Sequence, residues 1–227
     1  MCGIIGIVST KFIKKELIQN LVIQSKIRGQ HATGMSYIQD NGVKGTDFIT
    51  KIIPESAEKF EIKNVNTKML IAHTRYSTSS LEYNQPINFS EHSIVHNGVI
   101  TQVEFDKWDQ TYRWTSKNDS EHILKTVREN KNPIFEYPRA SIAYIHLNYF
   151  GKIMKFARNG KRPLYYSEEN DLICIASTKD ILKRAGLDNI NQCKSCDTYY
   201  IKADTNSLQL GHIPTYYEHE DLQCLSV

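Results

Sequence analysis

CGIIGIV, from Cys2 to Val8, is the stretch on which the reading of this chain turns. Ile4, Ile5, Ile7 and Val8 are β-branched, and a short apolar run of this kind predicts a buried strand. Its first residue follows the initiator directly. Removal of Met1 would leave Cys2 with a thiol and a free α-amino group on one residue. A thiol is a strong nucleophile only as thiolate, and an unperturbed cysteine ionises near pH ~8.5. An α-amino group titrates near ~7.7 to 8.0 and can take the thiol proton, directly or through one water. One residue would then supply nucleophile and base. The plainer alternative is a small buried hydrophobe beside the start codon, a common fate of free cysteine.

Outward from that strand, Leu17, Ile18, Leu21 and Val22 recur at helical spacing and predict a helix from about Lys14 to Ile27, closed by Arg28-Gly29. MSYIQ and DFITKII flank an Asp-Asn-Gly turn at Asp40 to Gly42, a strong hairpin signal. MLIAHTRYS and HSIVHNGVI read as strands. Ile123, Leu124 and Val127 predict a helix over Asp119 to Glu129. Then come short strands at ASIAYIHLN, GKIMKFARN, PLYYS and DLICIAS. A helix at TKDILKRAG is stopped by Gly186, and DTYYIKA with SLQLGHI makes a closing hairpin. Strands in hairpin order with a few helices between them indicate an α+β protein built on antiparallel sheets.

At 227 residues the chain fits one domain able to bury about 70% of its unfolded surface. Its 28 basic and 25 acidic residues are mixed along the sequence, with no basic run of the kind that tracks a phosphate backbone, so nucleic-acid binding is disfavoured. No signal-peptide pattern or 18-residue apolar span is present, and a cytoplasmic location is expected. Five scattered cysteines do not look like a secreted disulfide framework. Cys193 and Cys196 form a lone C-x-x-C. It could be half of a zinc site completed by His212, His219 or Cys224, but without a second spaced pair two ordinary thiols and no metal are expected.

RGQHATG (Arg28 to Gly34), AHTRYST (Ala72 to Thr78), NQP (Asn84 to Pro86), HNGVI (His96 to Ile100), NDSE (Asn118 to Glu121), ARNGKRPLYY (Ala157 to Tyr166) and IAS (Ile175 to Ser177) follow CGIIGIV in that order. The set resembles the class II glutamine amidotransferase domain, the N-terminal-nucleophile glutaminase of glutamine phosphoribosylpyrophosphate amidotransferase and glucosamine-6-phosphate synthase. The HTRYST, NQP and HNG motifs look closest to the phosphoribosylpyrophosphate enzyme.

The resemblance implies a four-layer αββα sandwich of two antiparallel sheets flanked by helices. It also implies roles. Cys2 is the nucleophile. The Asn97 side-chain amide and the Gly98 N–H form an oxyanion hole, where each donor is worth about 3 kcal/mol. Arg75 binds the α-carboxylate of L-glutamine and Asp119 its α-amino group. Arg28, which with Gly29 matches the family's RG motif, is expected among the substrate-binding residues, and Tyr76 and Thr78 match positions that line or close over the substrate. Read locally, Asn97-Gly98 is a common hairpin-turn dipeptide, Asp119 is a helix N-cap or first-turn acid, and Tyr76 is core packing. Gly34 would supply a backbone conformation that other residues avoid. The chain departs from the family at His31, where relatives carry an acid, at Ser79 and Ser80, and at Asn159.

No synthase motif accompanies the glutaminase motifs, so the expected organisation is a single domain over residues 1–227, needing no cofactor, that passes ammonia to a separate synthetase. Three other readings stay open. The chain could hydrolyse another γ-glutamyl or amide substrate, it could be a decayed glutamine-sensing module, or its partner could be a nucleobase-modifying synthetase.

Overall fold

The computed structural model describes residues 1–63, 65–77, 82–203 and 207–214. The N-terminal apolar run forms β1 (Gly3–Ser9), buried along its whole length. The chain then enters α1 (Lys15–Ser25), which buries Ile18, Leu21 and Val22; the last residues of the expected helix, Lys26–Arg28, tighten into a 3₁₀ turn. β2 (Ala32–Asp40) and β3 (Thr46–Ile53) make the predicted hairpin. Its loop is longer than a two-residue reversal, with a 3₁₀ turn at Gly42–Lys44. Gly42 and Gly45 carry the positive φ angles this loop needs, +63° and +93°.

β4 (Thr67–Arg75), β5 (Ile87–Phe89) and β6 (His92–Val99) follow, then α2 (Glu121–Arg128) and the one-turn α3 (Pro133–Glu136). β7 (Ser141–Asn148), β8 (Ile153–Arg158), β9 (Tyr165–Glu169) and β10 (Leu172–Ala176) lead to α4 (Lys179–Arg184). Gly186 at φ +83° ends that helix as expected. β11 (Ile190–Gln192), β12 (Thr198–Ala203) and β13 (Leu208–Ile213) follow among the described residues, the last two paired as the closing hairpin.

Every pairing is antiparallel. One sheet runs β11-β9-β10-β1-β4-β2-β3 and the other β13-β12-β8-β7-β6-β5. The alternation of β1 explains why the sheets stack. Ile5 and Ile7 face a core shared with Ile18 and Leu21 of α1 and with Ile181 and Leu182 of α4. Ile4 and Val8 face the opposite way, into a core shared with Val95, Ile145 and Phe156 of the second sheet. That sheet turns Ile94, Ile142 and Tyr144 outward onto Ile123, Leu124 and Ile134 of α2 and α3. The layers are therefore helices, sheet, sheet, helices, as the resemblance implied. Each fully buried isoleucine of β1 contributes about 1.5–3 kcal/mol.

Three expectations are corrected. Asn97 and Gly98 do not form a turn: both lie inside β6, paired with Ala143 and Ile142 of β7. Asp119 does not cap or open α2, which begins at Glu121. Cys196 is not an ordinary thiol but is disulfide-bonded, while Cys2, Cys174 and Cys193 are free; C-x-x-C spacing carries no information about a cysteine's partner elsewhere. Among the described residues no group of three histidines, cysteines or acids gathers to hold a metal ion, and no helix is long and apolar enough to cross a membrane. His219 and Cys224 lie outside the described residues.

Candidate active site

The register of β1 against β4 pairs Gly3 with Thr74, which sets Cys2 beside the Arg75-Tyr76 segment. Glycine is required at position 3 because a Cβ there would lie 2.1 Å from Ser25 Oγ and 2.5 Å from Thr74 Oγ1. Those two hydroxyls are hydrogen-bonded to each other at 2.9 Å. From the other neighbouring strand, Ser177 ties the start of β1 down: its Oγ accepts the Ile4 N–H at 2.9 Å, and its own N–H donates to the Ile4 carbonyl at 3.1 Å. Cys2 thus begins a strand that is fixed on both edges.

The second sheet reaches Cys2 through Asn97. The Cys2 N–H donates to Asn97 Oδ1 at 3.2 Å, and the Cys2 Sγ lies 3.9 Å from the Tyr76 carbonyl oxygen. Asn97 is only 2% exposed, and its Nδ2, buried, has no hydrogen-bond partner. Buried amide groups are nearly always paired, so this carboxamide, whose oxygen meets the Cys2 nitrogen, carries an unmet donor close to the Cys2 thiol. At Gly98 the reason for glycine is close approach: a Cβ would sit 1.8 Å from the Ser141 carbonyl oxygen.

Arg75 ends β4 with its guanidinium already anchored, Nη1 donating to the Tyr83 carbonyl at 2.7 Å and to Asn84 Oδ1 at 2.6 Å. Burial pulls its pKa below the usual arginine value. Asn118, next to Asp119, donates to the same Tyr83 carbonyl at 3.0 Å, so both charged residues hang on one loop. The Asp119 carboxylate accepts the N–H of Ile100 at 2.7 Å and of Thr101 at 3.4 Å, just beyond β6. Arg28 donates from Nε to the Cys2 carbonyl at 3.4 Å. Gly29 beside it would place a Cβ 2.2 Å from the Arg75 carbonyl carbon. Tyr76 is 53% exposed, which removes the core-packing reading. It stacks on His31 at 5.2 Å, and His31 Nδ1 accepts the Ser77 N–H at 2.9 Å. Thr78, Ser79 and Ser80 lie outside the described residues.

Two residues of this frame had no role in the sequence reading. Gln85, in the NQP motif, accepts the His96 N–H at 2.6 Å and donates to Ser120 Oγ at 3.1 Å. Ser120 in turn meets His96 Nδ1 at 2.9 Å. A buried glutamine linking two segments leaves no periodic trace; its place in the NQP motif of the ordered set was its signal. Gly34 is glycine because its Cβ would lie 2.1 Å from the Gln85 carbonyl oxygen, and its φ is not positive, which corrects the backbone-conformation reading. His73, at the back of the site, is fully buried and its pKa is pushed down to about 3, first by burial and then by the charges of Arg75 and His96. It is neutral at any physiological pH.

Residues 73–184 match the family described as glutamine amidotransferase domain. That segment carries a glutamine amidotransferase domain match. The matched segment holds Arg75, Asn97, Gly98 and Asp119 and begins after Cys2 and Arg28. Among relatives, the glutamine–fructose-6-phosphate aminotransferase of Francisella tularensis subsp. tularensis is 32% identical over 141 residues, 57% of this chain and 23% of that one. The enzyme of the same name from Sulfurisphaera tokodaii is 22% identical over 192 residues, 77% of this chain and 31% of its own. The chain thus spans a third or less of these relatives. Glutamine phosphoribosylpyrophosphate amidotransferase from B. subtilis, solved with ADP and GMP, superposes with a TM-score of 0.74 over 92% of this chain and 49% of its own, at 18% identity. That likeness establishes the fold.

Proposed function

We propose that this chain is the glutaminase of a class II glutamine amidotransferase, acting in the cytoplasm as a single domain that supplies ammonia to a separate synthetase. The observation that carries the reading is the Asn97 carboxamide: its oxygen holds the Cys2 nitrogen, and its buried nitrogen has no partner.

After loss of Met1, the Cys2 α-amine takes the thiol proton through a water, and the thiolate attacks the side-chain amide carbon of glutamine. The C=O π electrons move onto oxygen, and Asn97 Nδ2 and the Gly98 N–H receive that oxyanion. Donors already fixed in place stabilise it without reorganising, which is where most of their catalytic value lies. The tetrahedral intermediate collapses: the C–N bond breaks, the α-ammonium returns its proton to the departing nitrogen, and ammonia leaves a γ-glutamyl thioester. Water, deprotonated by the same amine, then cleaves the C–S bond to release glutamate. Arg75 holds the α-carboxylate, where the planar fork of guanidinium fits, and Asp119 holds the α-ammonium. Arg28 fixes the Cys2 carbonyl, and Tyr76 and Thr78 border the substrate.

The test is intact mass and peptide mapping before and after incubation with 6-diazo-5-oxo-norleucine, beside a glutaminase assay. One adduct on Cys2 of a Met1-free chain that releases glutamate and ammonia supports the reading. Persistent glutamine turnover by Cys2→Ala would sink it.

A further inference from the structure

Two arginines meet at the N-terminus, and among the described residues no acid pairs with either. Arg28 brings Nη2 to 3.6 Å from the Met1 sulfur. Arg162, on the loop between β8 and β9, brings Nη1 to 3.5 Å from the same sulfur. Both side chains are partly buried, and the pKa of Arg28 is lowered first by burial and then by the charge of Arg162. Among the described residues, neither forms an ion pair. The Arg162 Nε is buried with no hydrogen-bond partner. A thioether is a weak acceptor, and an unmet N–H on a desolvated cation is costly. Charge and donors for an oxyanion converge here on a sulfur atom.

The position is supported from beneath. The Arg162 carbonyl accepts from Nη1 of the buried Arg158 at 3.4 Å, and Arg158 Nε donates to the Cys193 carbonyl at 2.7 Å. The Cys196 N–H donates to the Arg158 carbonyl, also at 2.7 Å. Gly160, at φ +86°, turns the loop between them.

We propose that Arg28 and Arg162 form an oxyanion-binding subsite beside the Cys2 nitrogen, which opens when Met1 is removed and takes a carboxylate or phosphate of a molecule other than the glutamine being hydrolysed. The inference rests on the glutaminase reading, in which Arg75 and Asp119 take both charges of the glutamine Cα and leave this pair for a second anion. Paired guanidiniums suit carboxylate and phosphate equally. The anion therefore has two sources, the product glutamate or a phosphorylated molecule such as an ammonia acceptor.

The probe is inorganic phosphate, titrated calorimetrically into the Met1-free Cys2→Ser protein at constant ionic strength, so that general screening is held fixed. One saturable site is expected, weakened about tenfold or more by Arg162→Met through loss of charge-assisted hydrogen bonds. Arg162→Lys, which keeps the charge and loses the fork, should fall between the two, and it decides the matter if Arg162→Met does not fold. Displacement of phosphate by glutamate but not by glutamine assigns the site to product, and displacement by neither assigns it to a phosphorylated molecule; both support the subsite. No saturable binding, equal affinity in folded Arg162→Met, or displacement by glutamine overturns it. Since calorimetry needs no turnover, missing phosphate binding in a wild-type enzyme that hydrolyses glutamine removes the subsite alone. A Met1-free wild-type chain with no glutaminase activity removes the functional reading instead.

Discussion

At Asn97 one carboxamide faces two ways, its oxygen accepting the Cys2 N–H and its buried nitrogen without a partner. Asn97→Ala removes a single oxyanion donor, so kcat for glutamine hydrolysis should fall by about 10²- to 10³-fold. KM should stay close to wild type, because the groups assigned to the Cα end are untouched. Steady-state kinetics on Met1-free protein separates the two, and a loss confined to KM would deny Asn97 the oxyanion role. Asp119 calls for a gentler substitution, because its carboxylate also accepts the Ile100 N–H. Asp119→Asn keeps an oxygen for that bond and removes only the charge. KM should then rise about tenfold with kcat little changed; an unchanged KM would leave Asp119 as a loop anchor. Cys2 and Asn97 stood out as candidates because they sit in an ordered set of motifs, and the fold brings them within hydrogen-bond distance. The attachment of Asp119 to Ile100 was not, because a side chain bonding to backbone nineteen residues away follows no local pattern.

Between elements, the NQP segment joins what neither sheet could hold alone. Gln85 accepts the His96 N–H from β6 and reaches Ser120 beside α2, while Gly34 of β2 lets the Gln85 backbone approach. Gln85→Ala leaves a buried N–H and a buried hydroxyl each short of a partner, which should cost about 1–3 kcal/mol in denaturant unfolding. Because the neighbouring Asn84 anchors Arg75, KM for glutamine should rise as well. A stability loss with unchanged kinetics would confine Gln85 to the fold. Periodicity revealed the long strands and the helices at α1, α2 and α4. It missed β5, α3 and β11, which span three or four residues and offer no window in which a period can show. Dipeptide preference made Asn97-Gly98 a turn against the strand reading of HSIVHNGVI, because it says nothing about the carbonyl of Ser141 that excludes any larger residue at position 98.

Over the whole molecule, stacking two sheets between helices seals polar groups into layers that no local pattern marks. His73 and His146 are buried with pKa values pushed down to about 3, burial being the main cause for both, and each keeps one ring nitrogen without a partner. His96 is shifted the same way by burial. In the unfolded chain each would titrate near ~6.5. Between those values the unfolded state binds protons that the folded state does not, so stability rises with pH in this window and is lost as pH falls below about 6.5. Each histidine contributes a slope of up to ~1.4 kcal/mol per pH unit. From pH 7.5 to 5.5, His73 and His146 together should lower the unfolding free energy by about 2–3 kcal/mol, with His96 adding in the same direction. The carboxylates held low, Glu58 and Asp109 at about 2, are exposed and lose their ionic contribution only at more acid pH. Guanidinium unfolding at the two pH values measures the difference. His73→Gln should shrink it by about 1.4 kcal/mol whatever it does to stability at pH 7.5, because it removes one titrating group from the unfolded state. Equal stability at both pH values would mean that the folded protein accepts protons inside these layers, and the site would then be open to water at its back wall.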